Sequence, residues 1–215
     1  MSYRFVNKGK SAELWLYGYI GGWGGITAKQ VADDLKAMGK VDTVNVRMNS
    51  FGGEVFEGFA IFNQLQRNPA TIEVDIDGAA CSIASIIACA GNTVRMARNA
   101  MYMIHDPSGG AWGTAAEIRK AADLLDQIRE QLVETYVAKT GLKADKVSDY
   151  MTAETWFKAA EAAELGFVDE ITDALDMAAS ADLSKFRNVP TWAERRAAPD
   201  AQANVKAARA RIARL

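Results

Sequence analysis

Polar and apolar positions along this chain repeat with two different periods, and the period changes where glycine or proline intervenes. Residues 13–20 (ELWLYGYI) alternate and are rich in aromatics, which predicts a strand. Gly21, Gly22, Gly24 and Gly25 follow as a flexible turn. Thr27 is placed to cap a helix that carries Val31, Leu35 and Met38 on one face. Residues 43–48 (TVNVRM) predict a second strand, and Val55, Phe59, Phe62 and Leu65 form the apolar stripe of a second helix. A third strand is expected over 71–76, ending at Asp77-Gly78, and then a buried helix of small residues over 82–89. Short strands are expected at 93–96 and 101–104, and a long helix at 114–139 with Ile118, Leu125, Ile128, Leu132 and Tyr136 in register. Gly141 is positioned to end that helix in the left-handed region. A short helix at 158–165 and a last strand at 166–171 complete the pattern.

Strand–helix–strand alternation up to about residue 104 argues an α/β fold with a mainly parallel sheet and helical crossovers. The long helix exceeds what a small core needs, so a protruding element or an oligomer contact is expected there. After Pro190 the composition turns basic and alanine-rich. Arg187, Arg195, Arg196, Lys206, Arg209, Arg211 and Arg214 face only Glu194 and Asp200, with a thin apolar seam of Val205, Ile212 and Leu215. This predicts two parts: a main domain over 1–180 and a tail helix over 181–215. The tail reads either as a solvated end or as a docking arm.

The chain's 215 residues suffice for one domain with a substantial core. An apolar content of 49% and a charged content of 24% are ordinary for a globular protein. A net charge of −2 gives no general attraction to nucleic acid or anionic membrane, so neither is expected as a partner. The first residues lack the apolar core of a signal peptide, and the longest apolar run, 79–90, is too short to span a bilayer. A cytoplasmic location is expected. On one helix, Cys81 and Cys89 would lie about 12 Å apart, beyond disulfide reach. One histidine and no CxxC leave no zinc set, so no metal or cofactor is expected.

The chemistry gathers at strand ends. The single histidine, His105, follows the apolar run 101–104 and precedes Asp106-Pro107. It is the only imidazole available as a base near neutral pH. The second strand runs into Asn49-Ser50-Phe51-Gly52-Gly53, and the third is followed by Gly78-Ala79-Ala80-Cys81-Ser82. In parallel α/β proteins, sites form at the carboxyl ends of strands. Ser82 opens a helix whose first N–H groups can hold developing negative charge. Gly52-Gly53 can present backbone N–H groups without side-chain obstruction. Taken singly, a Gly-Gly pair is usually a turn and a helix-opening serine usually a cap, and the order G-A-A-C-S-I-A is not a GxSxG elbow.

The runs MNSFGGEVFEGFAIFNQLQ, DGAACSIASIIACAGN, MYMIHDPSGG and ETWFKAAEAAELGFVDEI resemble, in order and spacing, the Clp protease proteolytic subunit, ClpP. The similarity covers about residues 12–175 and is strongest to the ClpP-related head-maturation (prohead) proteases of phages. The resemblance implies a ClpP/crotonase-like fold of repeated β-β-α units with the long helix as a protruding handle. It places the nucleophile on Ser82, the base on His105 and the oxyanion donors on the N–H groups of Gly53 and Ile83. The third triad member falls on Glu154, two residues before the aromatic Trp156, where the family has aspartate. Asp149 stands nearby as an alternative acid, Ala84 occupies a frequent glycine position, and Cys81 is a rival nucleophile beside Ser82.

The resemblance therefore implies a serine-type endopeptidase without cofactor. It would act on proteins as a homo-oligomeric ring, stacked rings included, with capsid or scaffold proteins cleaved during phage head assembly. Three other readings stand beside it. One is an ATPase-fed housekeeping peptidase, another a catalytically silent capsid-assembly scaffold. The third is a crotonase-type acyl-CoA enzyme, which needs oxyanion donors but no Ser–His–acid set.

Overall fold

The computed structural model describes residues 3–22, 24–174 and 183–193. An antiparallel pair, β1 (Tyr3–Asn7) and β2 (Ser11–Tyr17), opens the sheet. In β2 the alternation is realised directly: Ala12, Leu14 and Leu16 are buried while Glu13, Trp15 and Tyr17 lie on the half-open face. The strand expected over 13–20 stops at Tyr17, and Ile20 instead forms isolated bridges to Ile26 and Gly53. β1 was not foreseen, because Tyr3–Asn7 is a half-exposed edge with no clean two-residue period.

Helix α1 (Ala28–Ala37) is capped by Thr27, whose Oγ1 accepts from the Gln30 N–H while Gln30 Oε1 accepts from the Thr27 N–H. It leads to β3 (Thr43–Ser50), parallel to β2. Helix α2 (Val55–Gln66) buries Gly58, Ile61 and Leu65 and keeps Val55, Phe59 and Phe62 partly covered beside them. β4 (Thr71–Cys81) lies parallel to β3, and the short helix α3 (Ile83–Ala88) follows it with all six residues buried.

β4 decides where the site forms. It is five residues longer than its pattern predicts, and its two halves pair with different strands. Glu73 to Ile76 pair with β5 (Thr93–Ala97), and Ala79 to Cys81 pair with β6 (Met101–Ile104), both parallel. Gly78 marks the fork without ending the strand. A Cβ there would lie 2.6 Å from Asn49 Oδ1, so the position demands glycine for close approach rather than for a turn. The β3–β4 register also shifts between Met48 and Ser50, as a bulge would make it do. The half-open face before the fork is covered by cross-strand ion pairs, Arg47 with Asp77 and Arg95 with Asp75 and Glu73.

Helix α4 (Ala115–Thr140) spans 26 residues, about 39 Å at the usual helical rise. A capping box of Thr114 and Glu117 starts it, and Gly141, at φ 72°, ends it. Its second half buries Ile128, Leu132, Val133 and Tyr136, while Ile118 and Leu124 in its first half are exposed. Of the predicted stripe, Ile128, Leu132 and Tyr136 reach the core, Leu125 is half-buried and Ile118 is exposed. Next come α5 (Ala144–Thr152), β7 (Thr155–Phe157), α6 (Ala159–Glu164) and β8 (Glu170–Thr172). β7 pairs antiparallel with β6, and β8 parallel with β5, giving eight strands among the described residues. α5 and β7 escaped the periodicity because each offers so few apolar positions, Val147 and Met151 in one and three residues in the other.

Two apolar clusters result. The larger fills the space between the sheet and its helices. The smaller, Ala79, Cys81, Met101, Met103, Trp156, Phe186 and Ala193, is built on the other face of the β4–β6–β7 layer and includes residues of 183–193. Residues 194–215, which hold most of the expected basic tail, lie outside the described residues. No helix of the described residues is long and apolar enough to cross a membrane.

Candidate active site

Register brings the strand-end residues together. Cys81 of β4 is paired with Met103 of β6, and the Ser82 N–H donates to the Met103 carbonyl at 2.9 Å. One step beyond that pairing on β4 and two on β6 are Ser82 and His105, and Ser82 Oγ lies 2.8 Å from His105 Nε2. Ser82 does not cap α3 through its hydroxyl. Its backbone is held at φ 56°, ψ −133°, a conformation that costs a non-glycine residue about 1–3 kcal/mol. The surrounding bonds enforce it: the Ser82 carbonyl accepts from the Ser85 N–H at 2.9 Å and from Ser85 Oγ at 2.5 Å. Ser85 is in turn hydrogen-bonded to Tyr136 Oη at 2.7 Å, so α4 buttresses the turn.

The Gly-Gly pair sits against this turn. Gly52 has φ 92°, and a Cβ there would lie 2.6 Å from Ser82 Cβ and 2.9 Å from the Cys81 carbonyl. Gly53 is as constrained, since its Cβ would fall 1.9 Å from the Ile20 carbonyl. Ile20 donates to the Gly52 carbonyl and accepts from the Glu54 N–H. In a parallel bridge of this kind, the N–H of the intervening residue, Gly53, is turned away from Ile20. The buried Ser50 hydroxyl sets the loop by donating to the Gly18 carbonyl at 2.6 Å and accepting from the Gly52 N–H at 3.2 Å. Ile83 opens α3, where first-turn N–H groups have no acceptor within the helix. Gly58 of α2 lets α3 approach, since a Cβ there would sit 2.1 Å from Ile83 Cγ1.

Glu154 lies on the far side of the imidazole. It is 3% exposed, and its Oε2 is 3.8 Å from His105 Nδ1. That is ion-pair range but longer than a hydrogen bond, and catalytic contacts of this type often shorten when substrate is bound. Glu154 also adopts a left-handed conformation, φ 48°. Its carboxylate accepts from the Arg187 N–H at 3.0 Å and the Asn188 N–H at 2.7 Å, with Trp156 Nε1 at 3.5 Å. Hydrogen bonds to a charged group are worth about 1.5–3 kcal/mol each, enough to hold a buried carboxylate in a strained link. Asp149 is exposed on α5 and forms no ion pair with His105.

Burial pushes the His105 pKa below the ordinary histidine range. Glu154 opposes this shift, Arg187 reinforces it, Asp106 opposes it and Lys185 reinforces it. The imidazole is therefore neutral near pH 7 and able to accept a proton. Cys81 is fully buried in the smaller cluster, and burial pushes its thiol far above the usual range, so no thiolate competes with Ser82. Both cysteines are free; Cys81 ends β4 and Cys89 follows α3, so they do not share a helix. Among the described residues no three His, Cys, Asp or Glu side chains converge as a metal site.

Sequence reasoning missed several supporting groups. Asp106 accepts from Arg129 Nε at 2.7 Å and Thr152 Oγ1 at 3.1 Å, tying the residue after His105 to α4 and α5. Phe186 packs against both His105 and Trp156. The only sequence signal for these was local: an acid after the histidine, and an aromatic in an otherwise polar stretch. A groove of about 550 Å³ opens between Val55 and Phe56 on one side and Ala111, Ile118, Leu125 and Ile128 on the other.

A largely parallel α/β fold that brings serine, imidazole and carboxylate together, with the Gly52 backbone packed against the serine, has the groups a hydrolase needs to add a hydroxyl to a carbonyl. The Clp protease family profile matches residues 26–174. The ATP-dependent Clp protease proteolytic subunit 2 of Thermobifida fusca is 34% identical over 141 residues, 64% of this chain and 68% of that protein. An asparagine-to-aspartate mutant of ClpP1 from Listeria monocytogenes superposes with a TM-score of 0.68 at 26% identity, covering 76% of this chain and 92% of that one. The chain belongs to the Clp protease family, a family of serine peptidases that form oligomeric rings.

Proposed function

We propose that this protein is a serine endopeptidase whose triad is Ser82, His105 and Glu154. The observation that carries the reading is the 2.8 Å approach of His105 Nε2 to Ser82 Oγ, with Glu154 on the Nδ1 side of the same ring. His105 takes the Ser82 proton as Oγ attacks the peptide carbonyl, then gives it to the leaving amine. Water attacks the acyl-enzyme by the same route. The Gly53 and Ile83 N–H groups hold the tetrahedral oxyanion, each such donor being worth roughly 10²–10³ in rate. Glu154 keeps Nδ1 protonated and stabilises the imidazolium that forms. The apolar groove that starts at Glu54 and Val55, just after the Gly-Gly pair, suits a hydrophobic side chain of the substrate.

The boundary expected at 180 moves in this reading: 183–193 belongs with the peptidase domain, because Phe186 and Ala193 join its smaller apolar cluster and 183–190 is not the start of a tail helix. The first half of α4, with Ile118 and Leu124 exposed, meets a second copy in a ring assembly, as the family's oligomeric habit suggests. The finer role, cleavage of capsid or scaffold proteins during phage head assembly, rests on the sequence resemblance in the four motif runs. The Thermobifida fusca relative supports a second reading, a peptidase fed by an ATPase.

The first test is Ser82→Ala. Labelling by a fluorophosphonate and peptide cleavage are both expected to vanish, the latter by about 10⁶-fold. Retained cleavage, or loss with Cys81→Ala instead, would overturn the assignment. Cleavage of a purified capsid or scaffold protein without ATP favours the head-assembly role. Casein turnover that depends on a Clp ATPase and ATP favours the second reading.

A further inference from the structure

We infer that residues 186–188 are a positioning clamp for the triad, supplied from beyond the family-matched region; this rests on the serine-peptidase reading above. The Clp family match ends at residue 174. Yet the groups that hold Glu154 come from further along the chain. Consecutive backbone N–H groups, of Arg187 and Asn188, donate to the two oxygens of the Glu154 carboxylate at 3.0 and 2.7 Å. Asn188 Nδ2 donates to the Ala153 carbonyl at 2.7 Å, fixing the backbone just before the left-handed Glu154. Three hydrogen bonds from two residues thus fix one buried carboxylate and its link.

Phe186 reaches the other partner. Its ring meets the Trp156 ring edge-on, with centroids 5.3 Å apart, and stands 5.9 Å from the His105 ring. It is 9% exposed and shares the smaller cluster with Cys81, Met103 and Trp156. The same three residues therefore touch both His105 and Glu154. Apart from the clamp, the carboxylate meets, among the described residues, Trp156 Nε1 at 3.5 Å and His105 Nδ1 at 3.8 Å, neither a firm anchor. A buried carboxylate so weakly held would be free to leave the imidazole, and a misplacement of about 1 Å can cost roughly 10²-fold in rate. Phe186 also keeps water from His105, whose charged neighbours are Glu154, Arg187, Asp106 and Lys185.

Full-length Asn188→Pro and Phe186→Ala variants test the clamp, with peptide hydrolysis measured across pH. Asn188→Pro removes one clamping N–H, and kcat is expected to fall between about 10-fold and 10²-fold with KM within about twofold. Asn188→Ala keeps that N–H and is expected to lose less. Phe186→Ala is expected to lower kcat by about tenfold and to move the acid limb upward, because His105 becomes better solvated. Phe186→Tyr should restore both. If Asn188→Pro fails to fold, the Phe186 pair decides alone. Folded variants with parental kcat and acid limb would overturn the clamp, as would losses in kcat with an unmoved acid limb and no rescue by Phe186→Tyr. Fluorophosphonate labelling of Ser82 in the parent separates the two levels: if Ser82 is labelled and the clamp variants behave as the parent, only the clamp fails.

Discussion

Ser82 stands where β4 meets α3, with the larger apolar core behind it and its strained backbone held by Met103, Ser85 and, through Ser85, Tyr136. Glu154 stands in a two-residue link between α5 and β7, also at positive φ, and is held by N–H groups some 33 residues further along the chain. The nucleophile side is thus stiffened by regular secondary structure and close glycine packing. The acid side is stiffened by one segment laid over it. A positive φ in a non-glycine residue is held in both places, but by different means: dense local packing for Ser82 and a few long-range hydrogen bonds for Glu154. The serine should therefore be robust to surface change, and the acid sensitive to it.

Four measurements sharpen this contrast, the largest effect first. Glu154→Gln puts an amide opposite the two clamping N–H donors and favours the wrong imidazole tautomer. It is expected to lower kcat by about 10²–10⁴ with Ser82 still in place; turnover within about threefold of the parent would remove Glu154 from the mechanism. Gly58→Ala attacks the serine side through packing alone, because its Cβ would meet Ile83 Cγ1 at 2.1 Å. A loss of about 1–3 kcal/mol in denaturant unfolding is expected, together with reduced activity as the Ile83 N–H shifts. An unchanged midpoint would show that α2 and α3 are not in firm contact.

The third measurement is a pH profile. Because His105 is shifted downward chiefly by burial, the acid limb of kcat/KM is expected below the ordinary histidine value of 6.5. The stability consequence has a definite sign. Between the lowered folded pKa and 6.5 the unfolded chain binds more protons, so His105 destabilises the fold increasingly as pH falls through that window and contributes nothing above it. An acid limb at or above the ordinary value would contradict the burial. The smallest effect belongs to Cys81→Ala. A stability loss of about 1 kcal/mol with unchanged kcat is expected, and iodoacetamide should spare Cys81 in the folded protein.

Much of this was legible in the residues. Alternation marked β2 and β3, a cap marked the start of α1, and glycine marked the end of α4, because each is a local preference of backbone or side chain. Ser82, His105 and Gly53 could be singled out because strand ends concentrate such groups. What periodicity could not show was the fork in β4. Gly78 looked like a stop, and only the approach of Asn49 explains why the strand runs on to Cys81. The choice of Glu154 over Asp149 was likewise open, since five residues on a chain do not reveal which carboxylate turns inward.

The sequence by itself determined the alternation of strands and helices, the single available imidazole and the family, all of which follow from short-range pattern and composition. Tertiary structure alone decided that β4 divides its partners between β5 and β6, that Cys81 is buried in the smaller apolar cluster, and that residues 186–188 close over Glu154. These depend on contacts between residues tens of positions apart, and no local propensity encodes which of many compatible long-range pairings buries the most apolar surface while leaving no charge unpaired.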